Sequence, residues 1–233
     1  MLCDIEVSMI REYVGNRLRA EFSSIIGYAR TDLSHFIDVF KLTPPAMFRN
    51  RPELDNWIKS NNLSYELIKG SNEKIIRVHG TFYQNGEPVP YSQLWAKASY
   101  KGYRKPWSGY HSAADNVSSK LLKKMHADHV INKERIFAKH AGAWVMLFPV
   151  PDGSNSPFGS LIEKSLPYLT EADVDSHGYP IDGLVGFKIY SMEYPRTEIE
   201  LKEQLNAIKG QVPAWFFQEI ESAIRSKWVL KSI

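Results

Sequence analysis

Cysteine is nearly missing from this sequence: Cys3 is the one thiol in 233 residues. A disulfide within the chain needs two, and a cysteine-built zinc site needs more, so both are excluded. Cys3 is read as a free thiol. Long apolar runs are also missing. None reaches the roughly 18 residues that a membrane-crossing helix needs. The first dozen residues carry Asp4, Glu6, Arg11 and Glu12 without a secretory apolar segment, so the expected location is the cytoplasm. There is no glycine-rich phosphate loop with its lysine, no dinucleotide fingerprint and no glycine-flanked serine elbow. Glu171, Asp173 and Asp175 lack the glycine and closing glutamate of a calcium loop. Nor is there a large charge excess: 29 Lys and Arg against 26 Asp and Glu leave +3. So small a net charge does not imply nucleic acid by itself; what matters is where the positive charge gathers.

What is present suits a folded chain with a substantial core, 43% apolar and 24% charged. Apolar residues recur at threes and fours from Ile5 to Ile26, and a short helix through Phe36 to Phe40 stops before Thr43-Pro44-Pro45. A further helix is expected over 52–60. The period then changes. Strands are expected over 64–69 and 74–83, the asparagine–glycine pair Asn85-Gly86 marks a tight hairpin, and Val89 to Trp95 returns. Ser112 or Asp115 caps a helix through Leu121, Leu122 and Met125. Trp144 to Phe148 reads as a buried strand, and Leu184 to Tyr190 as another. Two amphipathic helices come last, over Glu198 to Lys209 with Gly210 as its stop, and from Pro213 to Trp228. The predicted class is α+β: a helical N-terminal region at 1–62, then an α+β domain at 63–233 with small antiparallel sheet, an embedded core near 120–170 and closing helices. One compact domain overall is the alternative.

The chemistry concentrates in His126-Ala127-Asp128-His129-Val130-Ile131 and in the residues from there to Lys164. A strand ends in the polar pair Asp128-His129. After the apolar run 144–148, Pro149 to Ser154 turns the chain, and Asn155-Ser156-Pro157 has the grammar of a helix start, with Phe158, Leu161 and Ile162 facing inward. Asp128, His129 and Asn155 thus sit at element ends where they can converge. Phosphodiester hydrolysis asks for such a set. A histidine near neutrality can take a proton from water. A cation held by a carboxylate and an amide oxygen can neutralise the phosphate and stabilise the leaving oxygen.

The stretch resembles the ββα-metal (HNH, or His-Me finger) nuclease core. It is particularly similar to the variant attached to some modification-dependent restriction and phage-defence proteins. The likeness rests on Asp128-His129-Val130-Ile131, on Trp144 to Phe148, and on Asn155, Gly159, Lys164 and Pro167. It implies a metal-dependent endonuclease acting on DNA, with RNA second, in a restriction, defence or toxin context. In that reading His129 is the general base, Asp128 and Asn155 hold Mg2+ or Mn2+, and Lys164 contacts a phosphate or supports the site. Double-stranded DNA is the implied partner, a homodimer is allowed, and no membrane is involved. The sequence departs from the family in two places. Ala143-Trp144 stands where a middle asparagine is usual, and the paired zinc-binding cysteines of many members are absent.

A basic, aromatic stretch supports the same reading. Lys97, Lys101, Arg104, Lys105 and Trp107 are interleaved with tyrosines, and Lys120, Lys123 and Lys124 extend the charge toward Asp128. Cations neutralise phosphates and aromatic rings stack on bases. Plainer uses exist for every one of these residues: a surface ion pair for Asp128-His129, a helix cap for Asn155, a solvated face for the lysines. The rival function is a non-catalytic nucleic-acid-binding or protein-interaction module that uses 97–124.

Overall fold

The computed structural model describes residues 30, 33–84, 86–114, 117–123, 125–137, 141–151, 158–163, 166–191 and 194–228. In chain order these give α1 (helical residues 33–40), β1 (Pro45–Phe48), α2 (Arg51–Ser60), β2 (Ser64–Leu67), β3 (Ile75–Gln84), β4 (Glu87–Lys97), α3 (Arg104–Ala114), α4 (Ser119–Leu122), β5 (Met125–His129), α5 (Lys133–Phe137), β6 (Trp144–Pro151), α6 (helical residues 158–161), β7 (Tyr179–Pro180), α7 (Gly183–Tyr190), α8 (Glu198–Lys209) and α9 (Ala214–Lys227). The fold is α+β. The expected helices over residues 1–26 lie outside the described residues.

Among the described residues, seven strands make one antiparallel sheet in the order β2-β3-β4-β6-β1-β7, with β5 also paired to β6. β3 and β4 close over the two positions between Gln84 and Glu87, and Gly86 takes the left-handed φ of +87° that a tight hairpin needs. β6 is the axis. Its residues are apolar without alternation because both faces are covered. One edge pairs with β4, Leu147 opposite Leu94. The other edge is shared: Met47 of β1 lies opposite Val145, and β5 continues with His129 opposite Leu147. Beneath one face lies an aromatic cluster in which Trp95 sits 5.5 Å from Phe48 and 6.2 Å from Trp57, with Phe36, Phe82 and Tyr91 beyond.

Three expectations need correction. β1 falls within the N-terminal region read as helical; it begins at Pro45, and its four residues are too few to show a period. Residues 104–114 are helix, and the next helix stops at Leu122, so Met125 opens a strand. Gly183–Tyr190 is a helix and not a strand. Asp182 caps it by accepting from the Val185 amide at 2.9 Å, and Tyr179 Oη donates to the other oxygen at 2.7 Å. An apolar run buried all round has no periodicity to choose between helix and strand. Here the cap and the packing against α9 decide. A Cβ added at Gly186 would meet Phe216 Cζ at 2.7 Å, so the two helices are in close contact there.

Candidate functional site

β5 and β6 pair antiparallel across a connection that contains α5, and α6 follows β6 in the chain, with Asp128-His129 at the end of β5. Strand alternation sends the two side chains to opposite faces. Met125, Ala127 and His129 are buried on one, while His126 and Asp128 are half-buried on the other.

On the Asp128 side the structure holds a charged cluster. Lys188, from the middle of α7, is only 5% exposed, and its Nζ pairs with both Asp128 Oδ2 and Glu163 Oε1, the latter at 2.7 Å. Asn132 Nδ2 donates to the second Glu163 oxygen at 3.4 Å. Burial opposes the charge of Lys188, yet the adjoining carboxylates of Asp128 and Glu163 more than reverse this and hold its pKa above the ordinary lysine value. Burial raises the pKa of Glu163, with Lys188 working against it.

On the other side His129 is 4% exposed. The edge of Tyr103 covers it, ring centroids 4.5 Å apart at 72°. Burial pushes the imidazole pKa down to about 4, against the pull of Asp128 and with help from Lys133 and Lys188. The ring is therefore neutral at pH 7, and Nε2 has no hydrogen-bond partner among the described residues. Burial and the Asp128 charge both raise the pKa of Tyr103. The start of α3 is tied to this place a second time, where Arg104 donates to the Met125 carbonyl at 3.2 Å.

The expected convergence is corrected: Asp128 and His129 do end β5, but their side chains lie on opposite faces, Asp128 with Lys188 and His129 with Tyr103, and do not meet at one point. Asn155 and Lys164 lie outside the described residues, as do the side chains of Lys120 and Lys124. Lys101, Arg104, Lys105 and Lys123 are exposed and Lys97 is half-buried. Trp107 is a correction. It is fully buried and packs against His111, so it is core and cannot stack on a base. Tyr100 and Tyr110 carry Lys74 and Arg77 over their rings at 5.3 and 5.8 Å. The sequence reading missed Lys188, Glu163, Asn132 and Tyr103. Lys188 had left a signal, as the one charge inside the apolar run Leu184 to Tyr190.

The expected divalent ion does not fit the described donors as they stand. Carboxylate and amide oxygens are the right chemistry for Mg2+ or Mn2+. The point on which Asp128 and Glu163 converge, however, already holds the Lys188 ammonium. No helix among the described residues is long and apolar enough to cross a membrane. In comparisons with protein-family models, curated proteins and solved structures, nothing matches this chain.

Proposed function

We propose that the protein is a nuclease that hydrolyses phosphodiester bonds in DNA, with RNA as the second substrate class. The observation that supports this reading is Asp128-His129 at the end of β5, which pairs antiparallel with β6 after the intervening helix α5, with α6 following β6 in the chain; the resemblance to ββα-metal nucleases implies two such paired strands and then a helix. His129 is the general base of this reading: its imidazole is neutral, but burial holds its pKa at about 4, a weak acceptor, so Tyr103 must swing aside and admit water, which relieves that burial, before it can take a proton. Asp128, fixed by Lys188, lies on the opposite face of β5, and its negative charge favours a protonated His129 against the larger effect of burial. Exposed Lys101, Arg104 and Lys105 flank the covering residue Tyr103 and would meet backbone phosphates of a duplex. A restriction, defence or toxin setting is implied by the same resemblance. No step is assigned to a divalent ion.

The test is cleavage of plasmid DNA by wild type and His129→Ala, in Mg2+, in Mn2+ and in EDTA, on modified and unmodified DNA. Cutting by wild type that the substitution abolishes supports the reading. A second reading is favoured by the burial of His129 and the engagement of Asp128: a nucleic-acid-binding module without catalysis. Binding by both proteins, with no cutting in any condition, selects it.

A further inference from the structure

We infer that Lys188 is the fixed cation of this cluster: its ammonium takes the place between Asp128 and Glu163 that a divalent ion would otherwise take, and the native pair is closed to such ions. Two carboxylates that converge on one buried point need positive charge there, because an unpaired buried charge costs several kcal/mol. Lys188 supplies it from α7. Its stem is enclosed, its Nζ reaches Asp128 Oδ2, and Glu163 Oε1 lies 2.7 Å away. Asn132 holds the other Glu163 oxygen, which turns Oε1 toward the lysine. α7 is itself fixed: Asp182 caps it, and Gly183 and Gly186 press it against α9, where an added Cβ would lie 2.5 Å from Glu219 O and 2.7 Å from Phe216 Cζ. The ammonium is therefore delivered to the pair from a helix that is capped and closely packed against α9. A hard divalent cation at this point would have to displace it, and the displaced charge would be left in a buried setting without its partners. Remove the lysine and the same oxygens become a carboxylate site suited to Mn2+ or Mg2+.

The inference concerns ion binding and stands or falls separately from whether the protein cuts DNA. The experiment is calorimetric titration of the full chain with Mn2+ at pH 7, for wild type, Glu163→Gln, Lys188→Met and the double variant. Glu163→Gln is expected to leave wild-type Mn2+ affinity unchanged within about twofold, whereas Lys188→Met gains about tenfold or more and the double variant loses that gain. The inference is overturned if Glu163→Gln alone weakens Mn2+ binding about tenfold, since the ion would then be using the pair with the lysine in place. It is equally overturned if folded Lys188→Met binds no more tightly than wild type. Should Lys188→Met be unfolded without metal, the titration is read by circular dichroism. Helical signal restored by Mn2+ in Lys188→Met and not in the double variant supports the inference, and no recovery overturns it.

Discussion

Asp128 and His129 are neighbours in sequence that do their work on opposite faces of one strand: Asp128 pairs with Lys188 of α7, and His129 lies against Tyr103 at the start of α3. The pair read as one unit is in fact two environments, one ionic and one desolvated. Substitutions on the two sides should therefore separate.

The desolvated side sets an acid limb. His129 has its pKa pushed from 6.5 to about 4 by burial. Between those values the unfolded chain binds a proton that the folded chain does not, so stability falls as pH falls. The contribution is fully present above pH 6.5 and is lost as pH drops toward about 4. The full effect is on the order of 3 kcal/mol. Urea unfolding of wild type and His129→Gln at steps from pH 7 to pH 4 should show wild type losing stability faster. Parallel curves would mean that His129 is not held buried and neutral.

The ionic side should be costly to break and non-additive. Lys188→Met leaves the buried Glu163 and the half-buried Asp128 carboxylates facing each other without their cation and should cost about 3–5 kcal/mol. Glu163→Gln keeps the shape and one acceptor oxygen, and should cost about 1–3 kcal/mol. Because both act on one cluster, the double variant should lose less than the sum of the two. Urea unfolding at pH 7 measures all three, and simple additivity would mean that the two side chains do not share an interaction.

The basic stretch divides in the same manner, by exposure. Lys101→Ala with Lys105→Ala should weaken DNA binding and reduce the slope of log affinity against log salt by about 2. Trp107→Ala should act through the core, with a stability loss of about 3–5 kcal/mol, and at a temperature where it is folded it should bind DNA as wild type does. Fluorescence anisotropy across a salt series reads both. A Trp107→Ala protein that is as stable as wild type but binds poorly would restore the stacking role.

Much of this fold was legible from local pattern. The β3–β4 hairpin announced itself through alternation and Asn85-Gly86. α2 did so through Pro52 in its first turn, and α8 through its amphipathic spacing and Gly210; the caps Asn50 and Thr197, which accept from the Glu53 and Glu200 amides, were seen only in the structure. β6 was visible as an apolar strand. What stayed hidden depends on partners distant in sequence. Leu184 to Tyr190 is apolar all round, so its period is silent, and only α9 and Asp182 make it a helix. The same holds for the site. Asp128-His129 is a local signal, but Glu163 and Lys188 reach it from the turn after α6 and from α7, and no spacing within one element connects them. Tyr103 belongs to a stretch whose aromatics suggested a base-stacking surface, and burial against β5 gave the ring another role.

The seat of α7 is the structural condition for that cluster, and its glycines test it. Gly186→Ala should destabilise by about 1–3 kcal/mol, because the new methyl meets Phe216 and Ile220 and a packed core yields little. This runs against intrinsic helix propensity, which favours alanine over glycine by about 1 kcal/mol. Gly109 in α3 is the control. It is exposed, nothing lies within 4 Å of an added Cβ, and Gly109→Ala should stabilise by up to about 1 kcal/mol. Thermal unfolding of the two variants side by side should move in opposite directions. If Gly186→Ala is as stable as Gly109→Ala, α7 and α9 are not in the contact described, and the lysine would not be held rigidly between Asp128 and Glu163.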